Sequence, residues 1–408
     1  MNFIFKKIHN PGLNYLLIFF LVSTLNDLWS LTFGFPTLFH IFFLITLLFF
    51  RKEKVKKTSF LKNTYTLLVF YLIIVVINTF IYTFIEFNLE NKVVSVFFKS
   101  VFLLIIITTL TKVKFYEIIL FFKYVSIISV FFVLIPASIE FLLQRNLLSY
   151  EYGISDNIFY LRGLFIDKVD LGFFLIILTA SVFSFHKYWN MNKYLRFSVI
   201  SICCFFLVYS FSTTNLFGLL LSLIFIIMNQ KGKFKLLIFS TIIIYSIVQL
   251  SSDYLNNYTI KYDLQSEKSN TGDEFRSRAF KESVTYFFES PFLGHGPSSN
   301  AKMIRNRVSW VDKEINSHNF ISEFTDYGLF GGGILLSLFL TVFYKGFKQR
   351  NKENPIFIFW IIITGPIIMR VLFYYHYFDS FSFIFWISIT ILMVSFKTEN
   401  NMNKIINN

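Results

Sequence analysis

The longest polar stretch of the chain, from Ser251 to Asp326, contains two side chains whose chemistry suits anion binding and proton transfer. Arg276 carries a guanidinium, which can pair with two oxygens of a phosphate group at once. His318 carries an imidazole with an unperturbed pKa of about 6.5, so it can take a proton from a hydroxyl near neutral pH. The same imidazole could instead donate to a phosphate or cap a helix end. With Asn319 beside the histidine, the stretch predicts a site for a negatively charged group.

The residues around Arg276 predict an amphipathic helix from Asp273 to Ser290, which Pro291 ends. At about 100° per residue, Arg276 falls near the middle of the apolar face, whereas Arg278 falls on the charged face. A guanidinium on an apolar face needs an anionic partner, because burying it unpaired costs several kcal/mol. That partner is a substrate phosphate, a structural carboxylate such as Asp253, or the lipid headgroups. The expected apolar face consists of Phe275, Ala279, Phe280, Val284, Phe287 and Phe288.

A second short helix is predicted from Ser317 to Tyr327, with Gly328 as its terminator. If its apolar face rests on the membrane helices, His318 and Asn319 turn toward an aqueous cavity. His318 and Asn319 would then lie at the partly positive N-terminal end, where anions bind. The apolar face is Phe320, Ile321, Phe324 and Tyr327, and the polar face is His318, Asn319, Ser322 and Asp326.

The elements that position these residues are membrane helices. Of the 408 residues, 55% are hydrophobic and only 15% are charged, and the mean hydropathy is +0.60. This composition is typical of an integral membrane protein, and about twelve apolar runs are long enough to cross a bilayer. We therefore expect an all-α, single polytopic membrane domain over residues 1–408. The predicted spans are 13–30, 34–50, 63–85, 93–111, 116–143, 169–186, 196–211, 215–228, 234–250, 328–344, 355–373 and 380–396.

The distribution of charge predicts the orientation of these spans. A net charge of +14 could indicate nucleic acid binding, but the basic residues concentrate in alternate loops. These loops and both termini hold about 22 Lys and Arg and about 4 Asp and Glu, which the positive-inside rule assigns to the cytoplasm. Residues 251–326, between spans nine and ten, then form a large extracytoplasmic loop. The loops are 51–57, 112–114, 187–196, 231–235 and 345–352.

Several other classes of function lack their sequence signals. The chain contains no phosphate-binding loop, no nucleotide-binding βαβ unit and no metal-ligand spacing, so we expect neither cofactor nor metal. Cys203 and Cys204 lie inside a predicted span and are expected to be small buried hydrophobic residues. A secondary transporter would show repeat symmetry between two halves, and we see none.

The polar stretch resembles the signature region of the O-antigen ligase and polymerase family of bacterial membrane glycosyltransferases. The family pattern is an arginine and an aromatic residue four positions later, then P-L/F-L-G-x-G, then H-N, then G-(apolar)-x-G. A looser match to the family's R-G-x-F-x-D precedes the sixth span, at Arg162, Gly163, Phe165 and Asp167. The matching residues of the main pattern are Arg276, Phe280, Pro291 to Gly296, His318, Asn319 and Gly328 to Gly331.

The chain departs from the family at one hairpin. The family often carries S-x-S-R there, whereas residues 212–215 read Ser, Thr, Thr and Asn, so Asn215 stands where an arginine is usual. Arg370 is a candidate to replace that cation, since it lies near the outer end of its predicted span. The alternative for Arg370 is an arginine that extends to the membrane surface.

The resemblance implies a fold similar to GT-C-type glycosyltransferases and an inverting, metal-independent glycosyl transfer at the outer face of the cytoplasmic (inner) membrane. The donor and the acceptor would both be glycans linked to polyprenyl pyrophosphate. It implies that Arg276 and His318 are catalytic, with Arg276 and Arg162 on the pyrophosphate and His318 acting as a base or orienting the acceptor. Asn319, Arg370 and Asn215 would assist in substrate binding.

The resemblance leaves three functions open. We favour the polymerisation of O-antigen or capsule repeat units, with room for a chain-length regulator as partner. An O-antigen ligase would have to recognise lipid A core, and no feature can be assigned to that acceptor. A non-enzymatic flippase or transporter would place charges in the middle of its spans. Here the charges lie near the span ends or in the outer loop.

Overall fold

The computed structural model describes residues 8–33, 41, 59–86, 113–145, 147, 161–165, 168–210, 212–229, 272–297, 299–307, 320–348 and 354–373. Within these ranges the regular structure is entirely helical. The helices are α1 (Pro11–Phe33), α2 (Ser59–Glu86), α3 (Phe115–Ser129), α4 (Ile135–Leu143), α5 (Lys168–Phe185), α6 (Lys193–Tyr209), α7 (Thr213–Asn229), α8 (Gly272–Glu289), α9 (Ser299–Arg307), α10 (Ile321–Lys348) and α11 (Pro355–Phe373).

Every predicted span that falls on described residues is a helix, and the integral membrane α class is confirmed. Three helical stretches are long and apolar enough to cross a membrane, namely Phe115–Leu143, Ile321–Lys348 and Pro355–Leu372. Shorter apolar helices occupy Pro11–Asn26, Thr66–Tyr82, Val169–Phe185 and Thr214–Ile226. The total of twelve stays a prediction, since the spans at 34–50, 93–111, 234–250 and 380–396 lie outside the described residues.

The span formed by α3 and α4 is continuous through a π turn at Val130–Leu134. The turn precedes Pro136, which lacks a backbone N–H and whose ring would clash with the carbonyl four residues earlier in a regular α-helix. Widening the helix there accommodates the proline without ending the span. As a result Glu140, one turn beyond the proline, is carried to the far end of the same helix.

Helices α7 and α11 pack with their backbones in direct contact. A Cβ atom added to Gly218 would collide with the backbone of Pro366, and one added to Gly365 would collide with the carbonyl of Gly218. Ser222 Oγ donates to Ile362 O at 2.7 Å, and this carbonyl is the one that loses its helical donor to Pro366. Ser222 Oγ also accepts from Gly365 N at 3.0 Å. The serine thus compensates the proline and fixes the register of the two helices.

Polar contacts between helix ends fall into two sets, one at each end of the bundle. At one end, Glu117 at the start of α3 accepts from His9 N and Asn10 N, and Trp189 Nε1 after α5 donates to Ile119 O. At the opposite end, the start of α5 contacts the start of α7 and the end of α11. Helix α3 therefore begins at the first end, and α5 runs from the second end to the first. We call the first the basic end, because it carries Lys114, Lys187, Lys193, Lys345 and Lys348, and the second the site end.

Candidate functional site

The turn from Pro291 to Pro297 is bound along the first residues of α10 by main-chain hydrogen bonds. His295 N donates to Thr325 O at 2.9 Å, and Gly296 N donates to Asp326 O at 3.0 Å. In return, Leu329 N donates to Pro291 O at 2.8 Å. Two parts of the predicted motif that are separated by about thirty positions along the chain thus form one hydrogen-bonded unit, which we call the clasp.

Two glycines make the clasp possible. Gly328 has φ +66° and interrupts α10, so the short helix 321–327 meets the long span at a kink. Gly294 has φ +74°, and a Cβ atom on it would collide with the backbone of Asp326. A Cβ atom on Gly328 would likewise collide with the carbonyl of Phe292. Both positions combine a left-handed backbone with a close approach, which only glycine tolerates. The prediction that Gly328 ends a short helix is confirmed.

The polar residues Ser322 and Asp326 of the helix 321–327 are buried against α9, whereas His318 and Asn319, which are predicted to face an aqueous cavity, lie outside the described residues. Asp326 Oδ1 accepts from Ser299 Oγ at 2.9 Å and from Asn300 N at 2.8 Å. Asn300 Nδ2 in turn donates to Ser322 Oγ at 2.7 Å. At the first turn of α9, the carboxylate of Asp326 satisfies the backbone N–H of Asn300, which has no partner inside the helix. These polar residues therefore hold α9 in place.

Helix α2 supplies three further polar contacts to the clasp, which the sequence analysis did not anticipate. Asn78 Nδ2 donates to Leu293 O at 2.6 Å, and Tyr82 OH donates to Gly294 O at 2.8 Å. About two turns before Asn78 on the same helix, Tyr71 OH donates to Glu323 Oε2 at 3.0 Å. The signal in the sequence was a polar side chain repeated at i and i+4 near the end of an apolar run. These contacts anchor the clasp to the membrane helices.

Helix α8 exists where it was predicted, but its buried face differs from the predicted one. Ala279 and Ser283 are buried, while Phe280 and Phe288 are 50% and 70% exposed. The buried stripe of Ala279 and Ser283 continues toward the start of the helix through position 276, which lies seven residues before Ser283. The register therefore puts position 276 beside the buried face, whereas position 278 falls about 120° away from the centre of that face. The side chains of residues 272–278, including both arginines, lie outside the described residues.

The predicted cation Arg162 sits in a short segment that a buried glutamate holds. Glu140, at the end of α4, accepts from Arg162 N at 2.7 Å, from Gly163 N and from Leu147 N at 3.2 Å. Phe165, on the other side of the turn, is buried and stacks on Phe174 with ring centroids 4.8 Å apart. The backbone of Arg162 is thereby fixed at the site end, and its side chain stays partly exposed. Asp167 of the same predicted motif lies outside the described residues.

Arg370 and Asn215 are brought to the same end of the bundle and are both engaged by α5. Arg370 donates through Nη1 and Nη2 to Asp170 Oδ1, each at 3.0 Å, and only 4% of its surface is exposed. Asn215 Nδ2 donates to Val169 O at 2.7 Å and to Ser212 Oγ at 2.9 Å. These pairings favour a framework role for the two residues, in which they fix the start of α5 behind Arg162.

His318 and Asn319 lie outside the described residues, so the positions of their side chains are not part of the site as described. The chain resumes at Phe320, whose ring packs on Phe324 with centroids 5.5 Å apart. Phe324 also contacts Phe287 of α8, at 6.1 Å. The described part of the site therefore consists of α8, the clasp and the segment before α5, all at the ends of helices.

One family model matches the chain. It carries the description O-antigen ligase and covers residues 197–340. This range begins in α6 and ends in α10, so it contains Asn215, α8, the clasp, His318 and Asn319, and it leaves out Arg162 and Arg370. No curated protein matches the chain.

Proposed function

We propose that this protein, which carries a domain of the O-antigen ligase and polymerase family at residues 197–340, is a polysaccharide polymerase. The family consists of membrane enzymes that act on lipid-linked oligosaccharides. Within it, we assign the chain the joining of polyprenyl-pyrophosphate-linked repeat units into O-antigen or capsular polysaccharide. The reaction takes place at the outer face of the cytoplasmic membrane, in the extracytoplasmic loop 251–326.

The observation that carries the proposal is the location of the clasp. Two parts of the family pattern form one hydrogen-bonded unit at the site end, opposite the basic end. By the positive-inside rule the lysine-rich end is cytoplasmic, so the clasp faces outward. That is where lipid-linked glycans are presented after they have crossed the membrane.

The proposed reaction is a single displacement. A hydroxyl oxygen of the acceptor glycan attacks the anomeric carbon of the donor sugar from the face opposite the pyrophosphate, and the bond from that carbon to the phosphate oxygen breaks. The attacking hydroxyl gives its proton to His318, and polyprenyl pyrophosphate leaves with the bonding electrons. Inversion follows from the opposite-face attack, and no metal is needed if arginines balance the developing charge.

Arg276 and Arg162 are the cations that we assign to the pyrophosphate. A guanidinium matches two phosphate oxygens and keeps its charge at all relevant pH values. The backbone of Arg162 is fixed by Glu140, and position 276 lies beside the buried face of α8. Asn319 orients His318 or the acceptor. Arg370 and Asn215 support the site by holding α5, and Asp170 balances the charge of Arg370.

The placement of buried charges favours a surface reaction over a conduction path. Among the described residues, the buried charged side chains lie within the first or last two turns of their helices. A flippase or transporter would require such groups near the middle of its spans. The residues concerned are Glu117, Glu140, Glu323, Asp326 and Arg370.

The test is deletion of the gene followed by separation of the surface glycans on a gel. Loss of a polymerase leaves one repeat unit on the acceptor. Loss of a ligase leaves no glycan on the acceptor and long chains on the lipid carrier, and loss of a flippase leaves single lipid-linked units on the cytoplasmic side. Either of the last two patterns contradicts the proposal.

A further inference from the structure

Six large apolar side chains form an exposed surface beside the clasp. Two belong to α8, two to the turn that follows it, and two to the start of the long span in α10. Phe288 and Phe292 are the most exposed, at 70% and 62%. We call this surface the apolar rim, and its residues are Phe280, Phe288, Phe292, Leu293, Leu329 and Phe330.

Within the rim, the turn after α8 is joined to the start of the long span. Phe292 and Phe330 lie with ring centroids 6.3 Å apart, and the main chain of Phe330 donates to Phe292 O. Single exposed apolar residues are ordinary, but a contiguous apolar surface of this kind marks contact with another apolar phase. Three exposed polar side chains of α8, Lys281, Thr285 and Glu289, border the rim on the side away from α10.

The rim continues an apolar stripe on α10 that faces lipid in a membrane-spanning helix. Leu329, Leu336 and Leu340 are all exposed, at spacings of seven and four residues, which put them on one side of the helix. The stripe ends at Tyr344, whose ring lies 5.9 Å from Lys348 Nζ. A tyrosine and a lysine at this position are typical of a membrane interface.

The length of the stripe indicates where the rim lies relative to the bilayer. Leu329 to Tyr344 spans about 22 Å at 1.5 Å per residue, whereas the hydrocarbon core of a bilayer is about 30 Å thick. The apolar side chains of the rim supply the missing length at the site end. Lys281 at the border of the rim has a charge that suits anionic headgroup phosphates.

We propose that the apolar rim is inserted into the outer part of the bilayer, so that α8 lies along the membrane surface. The occupant of the rim is membrane lipid, at the boundary between headgroups and acyl chains. Position 276 on α8 is then held at the level of the lipid phosphates. The inference requires membrane insertion alone and does not depend on the proposed reaction.

The test measures the surroundings of a fluorescent label in vesicles. Cys203 and Cys204 are replaced by alanine, and single cysteines are introduced by Phe288→Cys and Phe292→Cys, with the neighbouring Glu289→Cys as matched control. Each variant is labelled with an environment-sensitive dye, reconstituted at low protein density in phospholipid vesicles, and exposed to aqueous iodide or to nitroxide-bearing lipid. Positions 288, 289 and 292 are exposed, so the cysteines introduced there leave the core unchanged.

The proposal predicts that labels at 288 and 292 are quenched by the lipid nitroxide and that iodide quenches them several-fold less than the label at 289. Equal iodide quenching at all three positions would overturn it. Protection of 288 and 292 from both quenchers would also overturn it, because a second protein copy would then cover the rim. No enzymatic activity enters the readout, so failure here and failure of the proposed polymerase are distinguishable.

Discussion

At the scale of single residues, Arg276 and Arg278 form a matched pair on one helix, two positions apart. Position 276 lies beside the buried face of α8 and position 278 does not. We expect Arg276→Ala to reduce chain elongation at least about a hundredfold, as removal of a group that stabilises transition-state charge does. Arg278→Ala should be mild. The measurement is the surface glycan ladder, with the membrane level of each variant as a check on folding.

His318 offers a way to separate a base from a hydrogen-bond donor. Glutamine can donate but cannot take the proton, so His318→Gln should be as inactive as His318→Ala if the histidine is the base. The wild-type rate should then fall in acid, since a protonated imidazole cannot accept a proton. Elongation of lipid-linked glycan by the reconstituted protein, followed across pH, measures both. A His318→Gln variant with near-normal activity would show that His318 acts as a donor, and normal ladders from both Arg276→Ala and His318→Ala would contradict the site assignment.

Glu140 is expected to matter because three backbone N–H groups depend on its carboxylate. Glu140→Ala leaves these donors, of which that of Gly163 is buried, without an acceptor, which should lower the free energy of unfolding by about 1–3 kcal/mol. It should also raise KM for the donor, because the segment that carries Arg162 loses its tether. Thermal unfolding in detergent and the KM of the reconstituted protein are the two measurements. Arg145→Ala, an exposed change five residues along the chain, is the control and should alter neither.

Single residues also show where sequence reasoning stopped. The types and spacing in the family pattern located the clasp, and the end of the bundle shared by Arg162, Asn215 and Arg370 followed from the alternation of spans. Asn78, Tyr82 and Asp170 were missed, because a polar residue near the end of an apolar run looks the same whether it meets lipid headgroups or another helix. Only the packed structure identifies its partner.

At the scale of elements, the described helices other than α9 were predicted from the sequence, whereas the faces that two amphipathic helices bury were not. The rule that apolar faces pack on protein assumes water on the other side. In α8, the small side chains of Ala279 and Ser283 permit close packing, while Phe280 and Phe288 face outward. In the helix 321–327, Asp326 faces the first turn of α9 because the backbone N–H of Asn300 in that turn needs an acceptor.

The contact between α7 and α11 supports a prediction at this scale. Ser222→Ala removes the donor to Ile362 O and a side-chain acceptor for Gly365 N, and Ile362 O has no donor in its own helix because Pro366 lacks an N–H. We expect a loss of about 1–3 kcal/mol in the free energy of unfolding. Ser337→Ala, on the exposed side of α10, should have no effect on the thermal midpoint. Equal midpoints for the two variants would mean that the serine does not compensate the proline.

At the scale of the whole molecule, the contacts at helix ends and the distribution of lysines are independent observations that agree. Helix-end contacts define two ends without reference to charge, and five described lysines that flank the spans, Lys114, Lys187, Lys193, Lys345 and Lys348, gather at one of them. The agreement assigns Thr285 on α8 to the outside and Lys348 at the end of α10 to the cytoplasm. In a background without Cys203 and Cys204, a membrane-impermeant maleimide should label Thr285→Cys in intact spheroplasts and Lys348→Cys only after permeabilisation. The reverse pattern would put the clasp in the cytoplasm, where outward-facing glycans are absent, and would rule out the proposed polymerase together with its orientation.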